Sequence, residues 1–213
     1  MPSAIIHAGV AKEINKILKL DDKLFILGNI APDCWRNSKN VCNRNLSHFL
    51  TSPESGENYK QFYYKYKNNL SDPFVLGYLI HLMTDSYWRV LERKEFRDLL
   101  IKSRLPINES IVSSIPVEKR NRDNFYSHEH AVLGEVAKFY DLSFCHVDNN
   151  FDSVIEEIDL TVLNDTIDYI NSAYFNLEAV DNNIYDFNEI LKDIKVITGF
   201  VLNELEELSD KNI

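Results

Sequence analysis

His81 and Asp85 stand four residues apart in Gly77-Tyr-Leu-Ile-His-Leu-Met-Thr-Asp-Ser-Tyr-Trp88, a stretch otherwise almost wholly apolar. On a helix, that spacing puts both side chains on one face of adjacent turns. Burying a carboxylate and an imidazole there is costly unless something satisfies both. A divalent cation does so by taking a carboxylate oxygen and a neutral imidazole nitrogen together. An ordinary hydrogen-bonded pair is the alternative, but Asp85 would then need further donors in an apolar wall.

Other candidate ligands are spread along the chain. The histidines are His7, His48, His81, His128, His130 and His146. His7 lies in helical register with Val10, Ala11 and Ile14, so it leans toward a core. Asp33 follows Pro32 in a turn or helix end, and His48 follows Ser47. His128 and His130 flank Glu129; residues two apart on a helix point about 200° apart, so at most one of them reaches a common site. His146 sits in the polar segment His146-Val-Asp-Asn-Asn and is expected in solvent. Taken singly, each has a plain structural role: a core histidine at 7, a turn aspartate at 33, a capped turn at 47–48, an exposed helix at 128–130.

The elements that must position these residues are helical. Ser3 caps a first helix whose apolar stripe is Ile6, Val10, Ile14, Ile17 and Leu18. A short apolar piece, 24–30, runs into Ala31-Pro-Asp-Cys34. Residues 36–47 are polar and read as a loop. A Tyr- and Lys-rich helix covers 57–70. Asp72-Pro73 opens the central helix, which runs to about Leu91. A charged helix at 93–103, a Pro-punctuated link from Pro106 to Pro116, and helices over 124–140, 160–180 and 187–208 complete the chain. No repeat and no clean period-2 strand is present, so an all-α, single-domain architecture over 1–213 is expected.

Composition bounds the function. The 213 residues are 45% hydrophobic, enough for a sizeable core, with only six glycines and six prolines. A net charge of -10 and a pI near 5.1 argue against a nucleic-acid backbone as the bulk partner. A small phosphate ester remains compatible, because a metal and one or two arginines invert the local field. Three cysteines (Cys34, Cys42, Cys145) without CxxC spacing read as reduced thiols. The first residues lack a secretory signal pattern, and no apolar run approaches the ~20 residues of a membrane helix, so a cytoplasmic protein is expected. There is no HExxH, no His-Asp dipeptide, no Gly-rich phosphate loop and no GxSxG elbow.

The ordered set His7, Ala31-Pro-Asp33, Ser47-His48 and His81-x-x-x-Asp85-x-x-Trp88 resembles the zinc-dependent phospholipase C family. That family includes the amino-terminal domain of glycosylphosphatidylinositol-specific phospholipase D and shares its fold with the more distant P1/S1 nucleases. The resemblance covers roughly residues 1–91. It implies an all-α fold with a metal cluster at the bottom of a cleft. Carried across, Asp33, His48, His81 and Asp85 would hold one zinc, and Asp85 would bridge to a second zinc also held by His7. The family's better-studied enzymes cleave phosphodiesters with metal-bound water as nucleophile. The secreted enzymes begin with a zinc-ligating tryptophan, where this chain begins Met1-Pro2. They also carry a further His soon after HxxxD, then a His and Glu for a third metal; Ser86-Tyr-Trp-Arg89 offers neither. The third site is therefore expected to be altered or absent, with His128 as replacement ligand and Glu129 or His130 behind it.

The function expected is a zinc-dependent phosphoester hydrolase, with one or two zinc ions or another divalent metal. Zinc lowers the pKa of bound water from about 15.7 toward about 7. Asp33 is the ligand suited to accept a proton from that water, and Arg36, Arg44 or Arg89 would neutralise the phosphate. The substrate would be a small phosphoester or a phospholipid. The competing expectation is a binding or regulatory protein that keeps the helical fold with one structural metal.

Overall fold

The computed structural model of the protein describes residues 3–36, 43–51, 57–91, 132–148, 150–175 and 186–210. Helix α1 spans Ala4–Leu18, and Ser3 Oγ accepts from the Ile6 N–H at 3.4 Å. Ile6, Val10 and Ile14 are buried on it as expected, but Ile17 and Leu18 are exposed. Burial stops at Ile14, one turn before the helix ends at left-handed Lys19 (φ 57°), so the last turn lies outside the core.

Helix α2, Asp22–Ile30, is capped by Asp21 and tightens directly into a 3-10 segment, Ala31–Arg36. Pro32, with no N–H to donate, fits the start of that tighter winding. The polar stretch expected as loop up to residue 47 instead closes on a helical turn, α3 (Arg44–Ser47). Asn43 makes this possible by accepting from the Leu46 N–H at 3.0 Å. Helix α4 spans Tyr59–Tyr66 and continues as a 3-10 turn, Lys67–Asn69. Helix α5 spans Pro73–Leu91, and Asp72 Oδ1 caps the Phe74 N–H at 2.8 Å.

Beyond it come α6 (132–139), a 3-10 turn Leu160–Val162 leading into α7 (Leu163–Phe175), and α8 (Phe187–Asp210). The expected helix at 93–103, the link at 106–116 and the start of the 124–140 helix lie outside the described residues. There is no strand among the described residues, and the all-α expectation holds.

Helix α5 is the hub and packs on α1, α2, α4 and α8. Its Phe74, Val75, Tyr78, Leu79, Ile80, Leu82 and Met83 are at most 1% exposed. Each side chain of that size contributes about 1.5–3 kcal/mol on full burial, which offsets the cost of the polar groups carried on the same helix. The α2–α5 contact is backbone to backbone. A Cβ at Gly28 would overlap the Phe74 carbonyl, and one at Gly77 would overlap the Phe25 carbonyl and sit 2.9 Å from Asn29 N. Only glycine permits this approach.

The carboxy-terminal part is fastened differently. Extended residues 142–148 lie along α7. There the Val147 N–H donates to Asn164 Oδ1 (2.9 Å), Asn164 Nδ2 donates to Val147 O (3.1 Å), and Asn171 Nδ2 donates to Phe144 O (3.0 Å). Glu157, 6% exposed, takes Tyr66 OH and Lys65 Nζ, each at 2.6 Å. Tyr63 OH donates to Leu208 O at 2.9 Å and ties α8 to α4.

Candidate metal centre

Five side chains from four segments converge beneath the α1–α2–α5 contact. They are His7 from α1, Asp33 from the 3-10 segment, His48 from the end of α3, and His81 with Asp85 from α5. His7, His48, His81 and Asp85 are at most 1% exposed, whereas the Asp33 side chain is 15% exposed and marks the side open to solvent.

Asp85 lies at the middle. Its Oδ1 is 3.4 Å from His7 Nε2, and its Oδ2 is 3.3 Å from His48 Nε2 and 3.6 Å from His81 Nε2. Asp33 Oδ1 is 3.6 Å from His48 Nε2, and the His48 and His81 Nε2 atoms face each other at 3.3 Å. Neither ring nitrogen of His7 and neither oxygen of Asp85 has a hydrogen-bond partner. Orphaned polar atoms this deep are costly, and a bound cation would satisfy them.

The spacing suits a divalent cation such as zinc. Two ligand atoms on one tetrahedral zinc, each about 2.0–2.2 Å from the ion, lie about 3.3–3.6 Å apart. The nitrogen–oxygen separations here run over 3.3–3.6 Å. His7, His81 and Asp85, and likewise Asp33, His48 and His81, each bring one ligand atom within 4.8 Å of the others. The donor set of imidazoles and carboxylates fits zinc, and the residues present fit the group.

Surrounding groups aim the rings. His81 Nδ1 is 2.7 Å from the Asn29 carbonyl oxygen, which can only accept, so Nδ1 carries a proton and the ring turns its Nε2 inward. His48 Nδ1 pairs with Ser47 Oγ at 2.8 Å, which turns its Nε2 inward as well. Tyr78 OH donates to Ser47 O at 2.6 Å and fixes that turn on α5, and Phe49 follows it in the left-handed region (φ 53°). The His7 ring stacks on His81 with centroids 3.8 Å apart.

The electrostatics favour cation capture. Burial, then the stacked His81, lowers His7 to about 4, so its ring is neutral near pH 7. Burial alone would raise Asp85, but His48, His7 and His81 around it hold its carboxyl well below the usual range. Burial likewise opposes ionisation of Asp33, yet His81, His48 and Arg36 keep it low. A buried, ionised carboxylate facing a neutral His7 is the protonation state a metal requires.

Of the residues expected at the site, His7, Asp33, His48, His81 and Asp85 are brought together. His128, with Glu129 and His130, lies outside the described residues. His146 is 56% exposed and bonded to Asp168 at 2.7 Å, away from the cluster. The sequence reading missed Asn29, Ser47 and Tyr78 as orienting groups. A signal for Asn29 exists in the facing glycines Gly28 and Gly77, which let two apolar helices meet closely enough for one backbone to reach the other's histidine.

Residues 4–101 match the family model for zinc dependent phospholipase C. No curated protein and no solved structure matches the chain.

Proposed function

We propose, on the premise that residues 4–101 belong to the zinc-dependent phospholipase C family, that this protein is a zinc-dependent phosphoester hydrolase. The observation that carries this is Asp85, whose two oxygens face different histidines, Oδ1 toward His7 and Oδ2 toward His48 and His81. A carboxylate so placed suits a bridge between two ions. Asp33, His48 and His81 would complete one ion's shell, and His7 would serve the other. His81 serves one ion only, since its Nδ1 is committed to Asn29 O.

When bound, zinc supplies a Lewis acid for the phosphoryl oxygen and an acidified water as nucleophile. The chain's own residues set the stage for it. His7 is held neutral by its burial, His48 and His81 are aimed by their neighbours, and of the five side chains only Asp33 is exposed to solvent. Asp33 directs Oδ1 to His48 and to the Trp35 indole N–H at 3.3 Å, which leaves Oδ2 to accept a proton. Solvent reaches Asp33, so proton exchange with bulk runs through it.

A second reading has one observation in its favour. Four protein donors, Asp33, His48, His81 and Asp85, gather on one side, whereas among the described residues the His7 side has His7, Asp85 and the shared His81. A single closed ion there would suit a binding or regulatory protein. No helix of the described residues is long and apolar enough to cross a membrane, and soluble phosphodiesters and phospholipids both remain substrate candidates.

Elemental analysis of the full-length protein, run beside a panel of soluble phosphodiesters and short-chain phospholipids with added zinc, tests both readings. Two zincs with turnover is the expected result. One zinc without turnover on any phosphoester would replace the hydrolase by the binding protein.

A further inference from the structure

We propose that Arg36 is the residue that grips the anionic phosphoryl group of the substrate at the mouth of the metal centre; this rests on the phosphoester reading above. Four of the five converging side chains are sealed from solvent, and only Asp33 is reached by it. A substrate therefore approaches from the Asp33 side. Arg36 stands there, 49% exposed, three residues on in the same 3-10 segment, with Nε 3.8 Å from Asp33 Oδ1.

At 3.8 Å this contact is too long for a hydrogen bond, so Asp33 does not commit the Arg36 Nε–H. It has no other carboxylate neighbour among the described residues. Its position is nevertheless held. The guanidinium carbon lies 5.2 Å from the Trp35 ring centroid, and the indole N–H is itself anchored on Asp33 Oδ1 at 3.3 Å. Stacking of this kind fixes an arginine head without consuming its planar fork, which matches the oxygens of a phosphate.

Arg44 is differently placed. Its Nη2 is 2.6 Å from Glu57 Oε1, and the Glu57 side chain is wholly shielded from solvent. Swinging Arg44 toward a substrate would strand a buried carboxylate. One arginine is thus spent on the fold and the other is poised. A chain of net charge -10, with two aspartates at its centre, also needs such a counter-charge to admit an anion.

The test uses full-length, zinc-loaded protein with inorganic phosphate as probe, in wild type, Arg36→Gln and Arg36→Lys. Phosphate affinity is measured by calorimetry, KM and kcat on a soluble phosphodiester, and zinc by elemental analysis. Arg36→Gln should weaken phosphate binding and raise KM by about 10- to 100-fold, the range of a lost charged hydrogen bond, with zinc content unchanged. Arg36→Lys should recover part of the loss. Unchanged phosphate affinity in Arg36→Gln overturns the proposal while leaving the hydrolase reading intact. Zinc lost in step with phosphate also overturns it, because Arg36 would then act only through Asp33. A zinc-loaded wild type that neither binds phosphate nor turns over any phosphoester removes the hydrolase reading, and this one with it.

Discussion

Two places in this molecule set histidine against aspartate, at different distances and depths. At the surface, His146 Nε2 meets Asp168 Oδ1 at 2.7 Å, with both side chains more than half exposed. Beneath α5, three imidazoles surround Asp85 at 3.3–3.6 Å, all sealed from water. The surface pair is a finished hydrogen bond that water and salt weaken. The buried group is short of partners, because its atoms are spaced for an ion rather than for one another. The lesson is that distance separates the two cases where residue type does not.

The largest effects should follow from attacking the buried group. His81→Ala and Asp85→Ala should lose bound zinc by elemental analysis, while His146→Ala retains the wild-type content. Chelation should lower the wild-type melting temperature. A ligand at about a thousand times its Kd stabilises by about 4 kcal/mol, or roughly 8–16 °C in a chain of this size. Equal zinc in all three variants would erase the distinction.

Next comes the scaffold. Gly77→Ala drives a methyl into the α2 backbone and should cost about 3 kcal/mol or more, seen as a lowered denaturant midpoint, with zinc affinity falling alongside. A native-like midpoint would mean that the α2–α5 contact does not constrain the centre.

Titration sharpens the contrast at a similar or smaller scale. Metal-free His7 is lowered to about 4 by burial and by His81, against about 6.5 when unfolded. Between those values the unfolded chain binds a proton that the folded chain refuses. Stability from this source is therefore full above pH 6.5 and falls as the pH drops toward 4, by about 3 kcal/mol at most. His81 acts oppositely. Burial lowers its pKa, but Asp85 and Asp33 outweigh that and raise it, so its contribution is full below 6.5 and fades as the pH climbs through its folded value. Urea midpoints of chelated protein from pH 4 to 7.5 should decline toward acid less steeply in His7→Leu than in wild type; identical slopes would count against a neutral buried His7.

On the carboxy-terminal side, Asn164→Ala removes both bonds to Val147 and should cost about 1–2 kcal/mol in thermal or urea unfolding, with zinc content untouched. The smallest effect runs the other way. Gly199, within α8, has nothing within 4 Å of an added Cβ, so Gly199→Ala should stabilise by about 0.5–1 kcal/mol.

Most of the metal centre was legible because its members are chemically loud: ionisable side chains in apolar helical register at His7, His81 and Asp85, and punctuated turns at Pro32-Asp33 and Ser47-His48. The helices around it were legible from their apolar period, down to Ser3 and Asp72 as caps. The orienting groups were not. Asn29 acts through a backbone carbonyl, which any residue carries, and the Ser47 hydroxyl that turns His48 reads equally well as a helix cap. The short α3 was hidden by its polar composition. Its existence depends on one cap, Asn43, rather than on a stripe. Ile17 and Leu18 continued a period that the fold does not use.

The meshed α2–α5 backbones have one more consequence. His81 is riveted through Asn29 to a helix that cannot retreat without breaking the fit at Gly28 and Gly77. The paired glycines therefore hold one imidazole of the centre in place through main-chain atoms well away from any coordinating side chain.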